Sequence, residues 1–247
     1  MKELKILYLY PDILELYGDF GNIQVLRYRL EQRGIQATIT PYSIGDPTPN
    51  FNEYDLVFAG GGADQEQNIL SKDLIQYKEN IKTAIDNGVF FLLICGAYQL
   101  FGKYYKDVEG NIIEGLNIFD YYTEAIEDRT KRCIGNIVIN TKLNNEVTRI
   151  IGFENHGGQT FDIEKPFGSV VYGNGNKFGD KFEGFFDRNV IATYLHGPLL
   201  SKNPVLADYI IKYCLDRKYE ENISLEPLDD TFENLCREQL LKQYLSD

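Results

Sequence analysis

Histidine is nearly missing from this chain: it has two, His156 and His196, in 247 residues. A metal centre built on imidazoles is therefore hard to assemble, and neither Cys-x-x-Cys nor His-Glu-x-x-His occurs, so no metal ligand set is expected. Cysteine is also scarce. Cys95, Cys133, Cys214 and Cys236 show no short pairing pattern, which excludes a disulfide scaffold and suggests a reducing compartment. Basic residues are outnumbered, 25 Lys and Arg against 37 Asp and Glu, for a net charge of −12. That argues against nucleic acid or an anionic membrane as the main partner. No window approaches the roughly 20 apolar residues of a membrane span. Lys2, Glu3 and Lys5 break up any signal-like run at the start, and a cytoplasmic location with no membrane insertion is expected. No Gly-Lys-[Ser/Thr] phosphate loop follows a glycine run, and Gly173-Asn174-Gly175-Asn176 lacks the third glycine of a dinucleotide fingerprint. The chain is thus expected to carry no cofactor of its own. Repeats, low-complexity tracts and linkers are absent too, so residues 1–247 are read as one domain.

What is present is a strand–helix alternation over the first hundred residues. Strands are expected at 5–10, 36–40 (ended by Pro41), 56–59 and 89–94. Between them lie a helix capped by Asn22 with Ile23, Leu26 and Leu30 on its buried face, a helical pattern resuming at Ala63, and a helix capped by Ser71. Gly34 is a candidate C-cap. Alternation of this kind predicts an α/β fold, a central and mostly parallel sheet with flanking helices. Beyond Gly102 the segments shorten and become rich in Gly, Asn and aromatics, the pattern of an added antiparallel, hairpin-rich region. Residues 190–195 form a further buried strand. A helix opens at Asn203-Pro204, and a last one starts near Asp230, where Asp230 and Glu233 make a capping-box pattern.

The chain is organised around Val89 to Leu100. Six apolar residues end at Cys95, Gly96 follows at once, and a helix-compatible segment comes next. A strand that stops at a nucleophile, turns sharply and enters a helix is a nucleophile elbow. It exposes Sγ and directs the first free N–H groups of the helix at the same point, favouring thiolate and an adjacent oxyanion. The plain alternative is a small buried hydrophobe, the reading kept for Cys133, Cys214 and Cys236. A cysteine nucleophile needs a base. His196 ends an apolar strand, as Cys95 does, and a glycine and a proline hold the turn after it. In parallel sheets sites form at the carboxyl ends of the strands, so Cys95, His196 and Gly60-Gly61-Gly62 are expected to meet. The glycine run admits close backbone approach; it serves an oxyanion, or is merely a turn. His156, in a glycine-bounded loop, is read as either a positioning group or a structural one. The residues thus predict attack of a Cys95 thiolate on an acyl carbon, with His196 shuttling the proton.

These motifs together carry a resemblance. Cys95-Gly96-Ala97-Tyr98-Gln99 after a buried strand, a glycine run upstream, and Thr193-Tyr194-Leu195-His196-Gly197-Pro198 about a hundred residues on resemble class I (triad) glutamine amidotransferases. Gly152-Phe153-Glu154-Asn155-His156-Gly157-Gly158 narrows this to the cobyric acid synthase-like branch. Tyr17-Gly18-Asp19-Phe20-Gly21-Asn22 and the stretch from Gly60 to Gln67 extend the likeness over nearly the whole chain. It is greatest to the glutamine-hydrolysing subunits of lipid II isoglutaminyl synthases. The resemblance implies L-glutamine as substrate, Cys95 as nucleophile on its γ-carbonyl and His196 as base. It implies substrate contacts from Gln99 and Arg132, with Arg129 a near rival, and an oxyanion hole from Gly96 and the run from Gly60 to Gly62. It also implies a Mur-ligase-like partner subunit (MurT) that holds ATP and Mg²⁺ and amidates the D-glutamate of lipid II. Triad enzymes usually place a glutamate two residues past the histidine; here that position is Pro198, so the third member is expected from the partner. The loop from Tyr17 to Asn22 is a candidate partner surface. Other acceptors, such as a corrinoid carboxylate, a catalytically silent binding module and a cysteine stress protein of the DJ-1 kind are the competing readings.

Overall fold

The computed structural model describes residues 1–62 and 64–245; Ala63, where a helical pattern was expected to resume, lies outside the described residues. The elements run in order β1 (Glu3–Leu9), α1 (Phe20–Glu31), β2 (Gln36–Tyr42), β3 (Leu56–Ala59), α2 (Asp64–Leu74), α3 (Lys78–Asp86), β4 (Phe90–Ile94) and α4 (Gly96–Phe101). The short strands β5 (Tyr104–Lys106), β6 (Ile112–Glu114) and β7 (Tyr122–Ala125) follow, and then the long pair β8 (Cys133–Leu143) and β9 (Glu146–His156). After these come β10 (Gly158–Phe161), β11 (Gly168–Tyr172), β12 (Phe182–Glu183), β13 (Phe185–Asp187), β14 (Val190–Thr193), α5 (Pro204–Tyr219) and α6 (Thr231–Leu245).

The central sheet has the order β13-β14-β4-β3-β1-β2, parallel except for β13. Every residue of β3, β4 and β14 is buried, as expected for strands covered on both faces. Leu9 pairs with Ala59, Ala59 with Leu93, and Ile94 with Thr193. The carboxyl ends of four parallel strands are thereby level, and whatever follows each of them is delivered to one edge. The hairpin-rich region forms two further four-stranded sheets, β10-β7-β5-β6 and β12-β11-β8-β9. The α/β class and the added antiparallel region stand as the sequence predicts.

Several local expectations do not. Pro41 stays inside β2, which is tolerated because β2 is an edge strand and Pro lacks only an outward donor. Asn22 does not cap α1, which already begins at Phe20. Its buried side chain donates to the Asp19 carbonyl and accepts from the N–H of Leu200. Ser71 is interior to α2 and donates to the Glu114 carbonyl, and the single helix expected there is α2 and α3 joined by a 3₁₀ turn. Asp230 does not act as a capping-box residue. Its carboxylate receives Nη1 and Nη2 of Arg29 at 2.6 and 3.0 Å, while Nε and Nη2 of the same guanidinium grip Asp208 at 2.7 Å each. In each case a tertiary partner has taken a side chain that local geometry would have used at a helix end.

Arg29 is 3% exposed and so clamps α1 to α5 and to the start of α6. Breaking a buried ion pair from one side strands the other charges, at a cost of about 3–5 kcal/mol. Because Asp208 and Asp230 keep some solvent contact, Arg29→Ala is expected to lower unfolding free energy by about 2–3 kcal/mol, read from urea midpoints; a loss under about 0.5 kcal/mol would contradict the clamp.

Candidate active site

The level strand ends bring four segments together. Cys95 follows β4 with φ 51° and ψ −102°, a sparsely populated conformation of the kind stored at functional turns. Its N–H donates to the Thr193 carbonyl at 2.8 Å, tying the elbow to β14. A side chain on Gly96 would crowd the glycine run, because its Cβ would stand 3.0 Å from the Gly62 nitrogen. His196 follows β14, and its backbone is bridged to Phe153 of β9 in both directions, at 2.8 and 3.1 Å.

The orienting acid comes from the loop after β1. Asp19 is fully buried. Its carboxylate lies 3.1 and 3.2 Å from His196 Nδ1 and accepts the N–H of Gly61 at 2.9 Å. The position two residues past the histidine is Pro198, but the chain carries a carboxylate beside His196 from 177 positions away. Pro198 packs instead on Gly21, where a Cβ would come within 2.1 Å of its ring. Asp19 lies in the unusual Gly18-Asp19-Phe20-Gly21 loop, within the stretch from Tyr17 to Asn22 that is a candidate partner surface. His196 Nε2 has no hydrogen-bond partner among the described residues and is the nitrogen left for the Cys95 sulfur. A Cβ on Gly61 would touch His196 Cε1 at 2.8 Å, Asp19 Oδ2 at 3.3 Å and Cys95 Cβ at 3.3 Å. Gly61 is thus the point on which cysteine, histidine and aspartate converge.

Cys95 opens onto a cleft of about 1240 Å³ whose walls include Tyr17, Gly62, Glu66, Gln99, Arg132 and Asn155. Of the glycine run, Gly60 is packed beneath, where a Cβ would meet the Leu14 carbonyl at 2.3 Å. The Gly61 N–H is spent on Asp19. That leaves Gly62, beside Gly96, as the member facing the cleft. Arg132 is exposed and steadied by Asn155 Oδ1 at 3.0 Å; Arg129 also lines the cleft. Gln99 reaches the cleft wall, but its polar ends are engaged. Its Oε1 accepts from Gln67 at 2.7 Å and its Nε2 donates to Tyr194 Oη at 3.1 Å, so it braces the wall as well as facing it.

Residues 5–204 match the family of CobB/CobQ-like glutamine amidotransferase domains. The chain belongs to this family. It is 39% identical over 244 residues to the glutamine-hydrolysing subunit GatD of lipid II isoglutaminyl synthase from Streptococcus pneumoniae, covering 98% of this chain and 90% of that one. To the GatD subunit from Staphylococcus aureus it is 41% identical over 227 residues, covering 92% and 89%. A solved structure of a glutamine amidotransferase, 15% identical, shares the fold with a TM-score of 0.52 over 84% of this chain and 98% of that one.

In this amidotransferase the two histidines sit in opposite electrostatic settings. Burial alone would depress His196, but the Cys95 sulfur and the Asp19 carboxylate outweigh it and push its pKa up to about 10. His156 ends β9 rather than lying in a loop. It stacks on Tyr194 at 3.6 Å between ring centroids, and its Nδ1 donates to the Gly158 carbonyl at 2.7 Å. Burial, with His196 and Arg132 adding to it, holds its pKa down at about 3. Beneath β14, Glu183 accepts from Thr193 Oγ1 and from the Tyr194 N–H, fixing the strand end that carries His196. Its burial pushes that carboxyl up to about 8.

Cys133, Glu154 and His156 bring ligand-type atoms within 4.8 Å of one another, a set that sequence spacing did not reveal. The Glu154 oxygens already accept the N–H groups of Asn174 and Gly175, and Cys133 Sγ accepts from Gln159. The trio works as an internal polar knot behind Tyr194.

With two histidines, the charge assignment is open to NMR. At neutral pH one imidazolium, His196, and one neutral Nδ1–H ring, His156, are expected. The His196 midpoint lies above its ordinary 6.5, so its pairing stabilises the fold fully below that pH and is lost as pH rises through about 10. Asp19→Asn is expected to lower the midpoint by about one unit or more; an unchanged midpoint would remove Asp19 from the triad. Gly61→Ala, which forces the three side chains apart, is expected to slow glutamine-dependent ammonia release about a hundredfold.

Proposed function

We propose that this chain, acting as a single domain, hydrolyses L-glutamine to glutamate and ammonia and passes the ammonia to a Mur-ligase-like partner, MurT. In this reading the partner holds ATP and Mg²⁺ and amidates the D-glutamate of lipid II to D-isoglutamine. The work is placed in the cytoplasm; no described helix is long and apolar enough to cross a membrane. The observation that carries the proposal is the convergence of Cys95, His196 and Asp19 on Gly61, with Cys95 opening onto the cleft, in a chain similar over most of its length to two GatD subunits.

The Cys95 thiolate attacks the γ-carbonyl carbon, and the oxygen takes up negative charge beside the N–H groups of Gly96 and Gly62. The His196 imidazolium gives its proton to the amide nitrogen, the C–N bond breaks and ammonia leaves. A water then attacks the thioester carbon, giving its proton to His196. The C–S bond breaks and glutamate is freed, with the thiolate and imidazolium restored. Asp19 holds the ring so that Nε2 faces sulfur and stabilises the imidazolium throughout. Arg132 is assigned the α-carboxylate of glutamine, because a guanidinium fork matches it. Asp19 also takes over the orienting role that the sequence reading gave to a partner carboxylate.

Ammonia release from glutamine by the chain, alone and with its ligase partner, tests this. Cys95→Ala should abolish release in both settings, and Asp19→Asn should lower kcat by about a hundredfold or more in both. Full activity of Asp19→Asn in the complex would return the orienting acid to the partner. Release that survives Cys95→Ala would overturn the mechanism.

A further inference from the structure

We propose that Glu66 is the specificity residue that selects a free amino acid as substrate, its carboxylate receiving the α-ammonium group of glutamine; this rests on the glutaminase reading and deepens it. Glu66 lies in the first turn of α2 and lines the same cleft as Cys95 and Arg132. Its Oε2 is shielded from solvent and has no hydrogen-bond partner among the described residues. A carboxylate oxygen cut off from water with no donor in reach is costly, so the cleft holds an acceptor built for something that arrives. That something is a cation or a strong donor.

The position fits the geometry of the bound amino acid. A Cβ on Gly62 would stand 3.8 Å from Glu66 Cβ, and Gly62 in turn abuts Gly96 of the elbow. Glu66 is therefore rooted beside the point where the γ-carbonyl must sit, and its side chain extends along the cleft wall. Glutamine carries its single positive charge a short aliphatic arm from the reacting carbon, next to the carboxylate that Arg132 would hold. A cleft that sets the guanidinium groups of Arg132 and Arg129 and the unsatisfied carboxylate of Glu66 around a nucleophile is complementary to a zwitterion. The other carboxylates lining the cleft are differently placed. Asp107 already accepts the N–H and the Nδ2 of Asn111, and Glu109 and Glu127 are exposed.

The test compares L-glutamine with glutaramate, the same amide without its α-amine, using the chain in complex with its ligase partner. Wild type should prefer glutamine in kcat/KM by at least tenfold. Glu66→Gln, and independently Glu66→Ala, should raise KM for glutamine at least tenfold with little change in kcat, leave glutaramate turnover unchanged, and so erase the preference. Calorimetric titration of Cys95→Ala with either amide, with and without Glu66→Gln, should show the same selective loss without chemistry. An equal loss on both amides, or an unchanged KM for glutamine, would overturn the role of Glu66. Absence of ammonia release from either amide by wild type would overturn the glutaminase reading and this inference with it.

Discussion

One carboxylate, that of Asp19, is shared between the Gly61 N–H and the Nδ1 of His196, and the rest of the site depends on that sharing. The N–H fixes the acid, the acid fixes the ring, and the ring leaves its other nitrogen for Cys95. The arrangement requires that β1, β3, β4 and β14 end at the same height, which the pairings of Leu9, Ala59, Leu93, Ile94 and Thr193 ensure. It also requires that nothing fill the space above Gly61. A parallel sheet is well suited to this, because its short segments after successive strands all emerge on one side. The chemistry is therefore a product of register: a slip of one residue in any of the strands would turn its delivered side chain to the opposite face.

Much of this was legible beforehand, for a physical reason. The elbow is a local event, since an apolar run, a cysteine and a glycine are consecutive, and so is a strand that stops at His-Gly-Pro. The alternation that predicts a parallel sheet is likewise written in short windows. Asp19 was not legible as the carboxylate beside His196 because the two lie 177 positions apart and no periodicity links them. The misread caps have a common cause. Asn22, Ser71 and Asp230 are polar residues that local rules send to helix ends, and each was drawn off by a partner distant in sequence: Leu200, Glu114 and Arg29. His156 was placed in a loop because glycines flank it, yet β8 extends far enough to pair it with Cys133 and keep it in a strand.

The two histidines show how a buried environment writes opposite charges on the same side chain. Both are removed from water, and burial pushes both toward neutrality. His196 faces a carboxylate and a sulfur and stays cationic; His156 faces a carbonyl and a tyrosine ring and stays neutral. Tyr194 is the partition between them. It stacks on His156 while its hydroxyl meets Thr160 and Gln99, so the neutral ring, the aromatic wall and the cleft-lining amide form one braced unit behind the reacting sulfur.

The anchoring of α6 has a consequence for how the molecule comes into being. Through Asp230 the start of this helix is held by Arg29, on the helix that Asp19 begins. Through Arg237 it reaches the carbonyl of Lys202 and the side chain of Asn203, a few residues past His196. During synthesis the aspartate leaves the ribosome early and the histidine late, and the segment that fastens both neighbourhoods follows them. A nascent chain therefore carries Asp19 and Cys95 for about a hundred residues of synthesis before the histidine that meets them has been made, and the helix that fastens both neighbourhoods is made later still.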